Sequence, residues 1–361
     1  EELVTEPGRA SYYSDPYFWS YFIQPAAHNT ILVDDFPESQ FAGDYKNEMT
    51  GFNKYARLKD ALVSDAGGFL VSELAPVYHS DLETMQRRIW FIDPGYVVID
   101  DRVRSNGEAH TYQMQLHPPN LPSLAIDGDR ARVTGEQSTL DIQVLMPDAP
   151  RLIKKQYPLA NRDIDVENLL PKGALQVTHD SPQRNQEFRV VLTPRRDGMD
   201  FPSSIREVEG DNFKAIEASF SDGRRDRIYF RTGDDISDQI ETDAQTAFIS
   251  LNAEGKVRAA GFEGATHFQI GDRFSFSSEY PGHGMFHLHE DGERIRLSRG
   301  LLDTGSVPAS VTTQSVGEVR ENLSSPESGN GLIERTQGAE QTRLDVNLSG
   351  EPLEIDILYN E

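Results

Sequence analysis

The chain has 361 residues, 37% hydrophobic and 26% charged, which is enough for one large domain or two ordinary ones around a sizeable core. With 59 acidic against 35 basic residues its formal net charge is −24, which opposes nucleic acid and anionic membranes as partners. It has no cysteine, so disulfides, thiolate metal sites and a cysteine nucleophile are excluded.

In chain order, residues 1–13 ("EELVTEPGRASYY") lack the basic start and apolar stretch of a signal peptide; a leader could have been removed, or more sequence could precede Glu1. No segment is apolar enough to span a membrane. A short helix is predicted near 15–23 ("DPYFWSYFI"). "PAAHNTILVDD" (25–35) then opens a strand over 28–34, with His28 and Asn29 at its mouth. A strand follows at 68–74 and a second short helix near 80–87. "RIWFIDPGYVVIDD" (88–101) reads as two apolar strands joined at Pro94-Gly95. "TYQMQLH" (111–117), "LDIQVLM" (140–146) and "LEIDILY" (353–359) alternate apolar and polar residues with the period of a strand. Further strands are expected at 187–193, 226–231, 245–251, 256–262, 266–270, 273–278, 284–289 and 343–348. Turn dipeptides fall at Asp127-Gly128, Asp222-Gly223, Glu254-Gly255, Gly271-Asp272 and Asp291-Gly292. The Gly- and Ser-rich run 318–342 reads as a long loop. The fold class expected is all-β: a large antiparallel β-sandwich of stacked sheets with few short helices.

Four constellations could carry chemistry. His28, Asp44 and His79 are two imidazoles and a carboxylate from separate strands or loops, a set that suits zinc with an open fourth position. Against it, nine histidines supply such a set by chance, and a single His is usually a hydrogen-bonded residue. His283, His287, His289 and Glu290 form a second candidate set. Strand alternation, with Phe286 and Leu288 inward and two His outward, already explains that pattern and is the favoured reading. Arg87-Arg88 could clamp a carboxylate or sulfate, or pair with Asp93 or Asp100. Arg224-Arg225 reads as a solvated turn tip. Trp19, Tyr21, Tyr45, Tyr55, Tyr78 and Trp90 could face a sugar ring, although Trp90, inside an apolar run, belongs to a core. A phosphate-cradling glycine loop, a G-x-S-x-G elbow and an H-E-x-x-H pair are all missing, so nucleotide chemistry and serine hydrolysis have no support.

Taken in order, these residues resemble the C-terminal β domain of the heparinase II/III-like polysaccharide lyases. The likeness is carried by Gly8, Tyr12 or Tyr13, His28-Asn29-Thr30, Val33-Asp34 and Gln40. Tyr78, Arg88 and Asp101-Arg102 in "VYHSDLETMQRRIWFIDPGYVVIDDRV" extend it, with "QLHPP" and "LDIQVLMP" beyond. It is good over roughly residues 1–150 and general thereafter. The resemblance implies a β-sandwich joined to an upstream (α/α) toroid absent from this chain, and cleavage of uronate-containing polysaccharide by β-elimination. It implies a zinc ion held by His28, Asp44 and His79, and catalytic or cleft-lining roles for His28, Tyr78 and Arg88. The partners expected are an acidic polysaccharide and the toroid of the same protein, with a homodimer as a further option, and the location periplasmic or secreted. Two departures stand out. Members with a His-x-His pair use the first His in catalysis, and here that place is Ala26. The proton-abstracting Tyr and its partners belong to the toroid, so the isolated chain is expected to be inactive. The alternatives are a non-catalytic carbohydrate-binding module and a structural interaction domain.

Overall fold

A computed structural model describes residues 1–6, 21–22, 24–36, 55–78, 82–92, 95–156, 173–288, 292–298, 307–314, 317–323, 331–337, 341–348 and 353–359. The chain divides into two compact units: Glu1–Arg57, Val71–Trp90 and Gly95–Met199 form the first, and Leu58–Leu70, Phe91–Pro94 and Asp200–Glu361 the second. Strand makes up 67% of the structure and helix 4%, as the alternation predicts. No helix among them is long and apolar enough to cross a membrane.

The first unit is a sandwich of two antiparallel sheets. The smaller runs β1 (Ile31–Val33), β6 (Tyr112–Leu116), β11 (Gly173–Thr178), β10 (Arg151–Gln156). The larger includes, in order, β4 (Leu82–Ile92), β5 (Tyr96–Ser105), β12 (Asn185–Arg195), β9 (Thr139–Met146), β8 (Arg130–Thr134), β7 (Leu124–Asp127). Alternation decides which side chains meet: Ile31, Met114, Leu175 and Val177 of the smaller sheet share one core with Ile99, Val103, Ile142, Val144, Phe188 and Val190 of the larger. Each such side chain, fully buried, contributes about 1.5–3 kcal/mol. The smaller sheet's other face is polar and also buried. It carries Gln113, Gln115, Gln176 and Thr178, with Leu32 and Ala174 under Tyr21, Phe22, Ala26 and Ala27.

In the second unit, Leu58–Leu70 carries most of β2 (Arg57–Ser64) and the start of β3 (Gly67–Glu73). The main sheet runs β13 (Ser204–Gly210), β14 (Phe213–Ser219), β15 (Arg225–Arg231), β18 (Thr246–Leu251), β19 (Val257–Ile270), β20 (Phe274–Leu288), β21 (Gly292–Ser298), β26 (Leu353–Tyr359), β23 (Gly317–Leu323). Off this path lie β16 (Ile236–Ser237), β17 (Glu241–Thr242), β22 (Val307–Thr313), β24 (Gly331–Gln337) and β25 (Thr342–Leu348). Phenylalanines 262, 268, 274, 276 and 286 stack through its core with aliphatics from the neighbouring strands. The β2–β3 hairpin is tied to β20 and β21: Asp60 lies 3.3 Å from His283 Nε2, Asp65 pairs with Arg294, and the Val63 carbonyl accepts from Arg296. Gly67 is required there. Its φ is +125°, and a Cβ would stand 2.3 Å from the Phe91 carbonyl oxygen. Gly67→Ala is expected to cost about 2–3 kcal/mol, read as a shift in urea midpoint. A loss under about 0.5 kcal/mol would show that the hairpin yields instead.

Three expectations are corrected. The region near 80–87 belongs to a strand: Leu82 and Met85 have helix-like spacing, but pairing within the sheet overrides it. Residues 318–342 are not one loop, because they hold β23, β24 and the start of β25. Arg224 is no solvated tip. It is 3% exposed, stacked 3.3 Å over Phe220 and paired with Asp226 at 3.4 Å. The helix near 15–23 lies outside the described residues, except for Tyr21 and Phe22.

Candidate functional site

The "HNT" stretch is a polar turn that leads into β1 and ties three parts of the first unit together. The backbone is short of partners here, and side chains supply them. A 3₁₀ turn at Pro25–Ala27 ends on His28, whose N–H donates to the Pro25 carbonyl at 3.1 Å. The side chains of the three residues then diverge.

His28 Nε2 meets the Phe22 carbonyl at 3.0 Å, and Nδ1 meets Glu6 Oε2 at 2.5 Å. Both side chains are open to solvent, His28 at 41% and Glu6 at 54%. The Asn29 amide is fully used. Its Nδ2 donates to the Thr5 carbonyl (3.1 Å) and to Glu6 Oε1 (2.9 Å), while Oδ1 accepts from the His117 N–H (2.8 Å) just after β6. The Asn29 carbonyl accepts from Arg87 Nη1 at 2.5 Å. Arg87 in turn forks onto Asp101, with Nε and Nη2 each 2.7 Å from a carboxylate oxygen. Asp101 is wholly buried on β5, on the same side as Ile99 and Val103, so this ion pair reaches from the larger sheet to the turn. Thr30 Oγ1 lies 3.3 Å from the Tyr78 hydroxyl, which donates to the Ile31 carbonyl at 2.8 Å.

The far end of β1 is unusual. Asp34 and Asp35 both have positive φ (57° and 52°), and Phe36 N–H closes the turn on the Val33 carbonyl at 3.0 Å. That is a type I′ turn, normally made with glycine or asparagine. Asp34 takes hydrogen bonds from the Thr111 N–H (2.8 Å) and His110 Nδ1 (2.7 Å). Burial opposes its ionisation, but these bonds and the His110 charge hold its carboxyl below the usual range. Asp35 reaches over the smaller sheet to Lys155 Nζ (2.6 Å) and Gln176 Nε2 (3.2 Å).

The structure thus brings His28 and Tyr78 to one turn. Tyr78 is 2% exposed and braces that turn from beneath. Arg88 lies elsewhere. It is 5% exposed, donates to Gln86 Oε1 at 3.2 Å and adds its charge to those around the buried Asp100, because strand alternation sends it to the opposite face from Arg87. Asp44 and His79 lie outside the described residues, as do Trp19, Tyr45, His289 and Glu290. Among the described residues no group of three or more His, Asp or Glu is placed to hold a metal. His283 Nδ1 accepts the Gly264 N–H at 3.1 Å and Nε2 faces Asp60, so this ring secures the bulge at 262–265. Trp90 is core, 1% exposed. Ala26, at the place of the family's first His, is 1% exposed, and its carbonyl accepts from His117 Nε2 at 3.1 Å. Sequence reasoning missed Glu6 and the pairing of Arg87 with Asp101, and it singled out Asn29 without the anchoring role its amide plays. The clue available for Asn29 was an amide beside His28 at the start of an apolar run.

Comparison with curated proteins returns no match. Among solved structures, a xanthan lyase from Paenibacillus shares the fold, with a TM-score of 0.52 at 10% identity over 96% of this chain and 32% of that one. A heparan sulfate lyase HepC mutant from Pedobacter heparinus matches at 18% identity over 64% of this chain and 35% of that one, TM-score 0.48. A chondroitin AC lyase from Streptomyces coelicolor A3 matches at 11% identity over 98% and 42%, TM-score 0.48. The chain spans about a third to two fifths of the length of these proteins. The family model described as "Heparinase II/III-like, C-terminal" matches residues 1–244, well over half of the sequence and including the whole His28 turn, and the chain therefore belongs to that family.

Proposed function

We propose that this chain is the β-sandwich part of a polysaccharide lyase and forms one wall of a cleft in which a uronate-containing polysaccharide is cleaved by β-elimination. The observation that carries the reading is the His28 turn. Its backbone is fixed by Asn29, Arg87, Asp101 and Tyr78, yet the His28 ring and Glu6 carboxylate stand half exposed. A solvent-facing polar group on a rigid, fully bonded support is what a binding wall requires.

The reaction removes the C5 proton beside the uronate carboxylate, breaks the C4–O bond and leaves a C4–C5 double bond. It needs a base, an acid for the leaving oxygen and neutralisation of the carboxylate. The described tyrosines at the turn do not suit the base. Tyr78 gives its proton to a carbonyl, and burial together with the Glu6 charge pushes the Tyr21 phenol up, so it stays protonated. The base and acid are assigned, as the family resemblance implies, to a helical domain of the same protein. Zinc is assigned to His28, with Asp44 and His79 as the further ligands that the family resemblance nominates. His28 fits: its Nε2–H rests on a carbonyl, which leaves Nδ1 for a metal. The ion is given a structural part only.

The test is turnover of heparan sulfate, chondroitin sulphate and xanthan, followed by the near-ultraviolet absorbance of unsaturated uronate ends. The chain by itself is expected to give none. The complete protein, with its helical domain, is expected to turn over one of them and to lose at least about tenfold in kcat/KM with His28→Ala. Product from the isolated chain, or full activity of His28→Ala, would sink the reading.

A further inference from the structure

The connection between β5 and β6 is pinned at both ends and open at its tip. Ser105, the last residue of β5, donates its N–H to the Arg184 carbonyl at 2.8 Å, and its Oγ donates to the Glu108 carbonyl. His110 exchanges backbone hydrogen bonds with Gln183 at 3.0 and 2.8 Å. Asn106 and Gly107 stand between these anchors, both exposed. Among the described residues, none is hydrogen-bonded to the Asn106 side chain or to the Gly107 N–H. Gly107 has φ +114°, and no atom lies within 4 Å of the place a Cβ would occupy.

An asparagine side chain can react with the backbone nitrogen of the residue that follows it. A side chain on that residue, or a hydrogen bond that holds either group, hinders the approach. Both obstacles are missing at Asn106, whereas other asparagines meet them. The Asn29 amide is held by Thr5 and Glu6. Asn120 Oδ1 accepts from the Ser123 N–H at 2.9 Å, and Asn252 Oδ1 accepts from the N–H groups of Glu254 and Lys256 at 3.1 and 2.9 Å. Each of these three precedes a residue with a side chain: Thr30, Leu121 and Ala253.

We infer that Asn106 is a site of spontaneous covalent modification, converting through a cyclic imide to aspartate and isoaspartate. The Gly107 nitrogen attacks Asn106 Cγ, a C–N bond forms, and the bond from Cγ to Nδ2 breaks. Nδ2 leaves as ammonia and takes up the proton lost by the Gly107 nitrogen. Water then opens the imide at one of its two carbonyls, which decides between the products, and nothing is oxidised or reduced. Each event adds a negative charge. The isoaspartate product also inserts a methylene into the main chain next to Ser105, where the Arg184 contact fixes the end of β5.

The experiment incubates the whole chain at mildly alkaline pH, both native and in urea, and follows each asparagine by peptide mass mapping. A protein L-isoaspartate methyltransferase with a labelled methyl donor reads isoaspartate separately. The Asn106 peptide is expected to lose its amide completely in the native chain, as fast as in urea, while native Asn29, Asn120 and Asn252 keep theirs. Methyl acceptance at that peptide is expected to be lost in Asn106→Gln, whose longer side chain disfavours ring closure. Asn330-Gly331 is the other such dipeptide in the sequence, and mapping reads it as a separate peptide. An Asn106 amide that survives in the native chain but is lost in urea would overturn the inference, because the fold would then protect the site. Methyl acceptance confined to Asn330 would overturn it too.

Discussion

Arg189→Met is expected to remove about 3–5 kcal/mol of stability, a large share of the 5–15 kcal/mol typical of a folded domain. Arg189 on β12 is 1% exposed, and Asp100 on β5 is fully buried. The guanidinium holds Asp100 Oδ1 with Nε at 3.1 Å and Nη2 at 2.8 Å, and Arg102 holds Oδ2 at 3.1 Å. Burial alone would drive this carboxyl up, but the charges of Arg102, Arg189 and Arg88 outweigh it and hold the pKa below the usual value. A carboxyl lowered in the folded state stabilises above its unfolded pKa of about 3.9, and that contribution fades as pH falls through the folded pKa. The cost of Arg189→Met is therefore expected at neutral pH and to shrink in acid. Methionine fills much of the volume, so the loss reports an uncompensated buried charge rather than a cavity. The double change Arg189→Met with Asp100→Leu removes both charges and is expected to recover most of the loss. Urea midpoints at pH 7 check both, and a single variant within about 1 kcal/mol of wild type would show that Arg102 and Arg88 suffice.

The second large effect is expected from Asn29→Asp, which changes one NH₂ into an oxygen and almost nothing else in shape. The new carboxylate faces the Thr5 carbonyl and Glu6 Oε1, both acceptors, where Asn29 Nδ2 had donated to each. Two lost donors and one new like-charge contact add to roughly 2–3 kcal/mol. The local readout is hydrogen exchange at the Thr5 N–H, which is bonded to the His117 carbonyl at 2.9 Å. Its protection is expected to fall at pH 7 and to recover partly once the pH is low enough to protonate the new acid, which regains one donor. Unchanged protection at pH 7 would mean that residues 1–6 are held without Asn29.

The strands were legible because burial on one face imposes a period of two. Leu140, Ile142 and Val144, or Leu353, Ile355 and Ile357, can be read without knowing what they pack against. The turn dipeptides were legible for a local reason too: Gly128, Gly223, Gly255 and Gly271 all sit at positive φ. What interrupts a strand was not. The 256–262 and 266–270 strands are one element, β19, bent by a bulge at Gly264 (φ 67°) whose N–H is caught by His283 from the neighbouring strand. At the site, His28 could be singled out as a polar residue at the mouth of an apolar run. Its partner Glu6 lies 22 residues away, and His117 lies 88 residues from Asn29. No local periodicity connects such pairs. Choosing Arg87 over Arg88 as the residue that reaches the turn depends on which face of β4 is inward, and a one-residue difference reverses that answer.

The Asp34–Asp35 turn sets a trap for anyone engineering this domain. A stabilisation protocol that scores backbone angles would replace Asp35 with glycine, the residue such a turn ordinarily prefers, and the strain of the left-handed conformation would indeed be relieved. The same change would cut Lys155 and Gln176 loose from the carboxylate that spans them, across a sheet face where the buried Gln113 and Gln176 side chains need polar partners. At this corner the chain tolerates an awkward backbone because a side chain with reach is worth more than a relaxed turn, so local geometry and global fitness pull a designer in opposite directions.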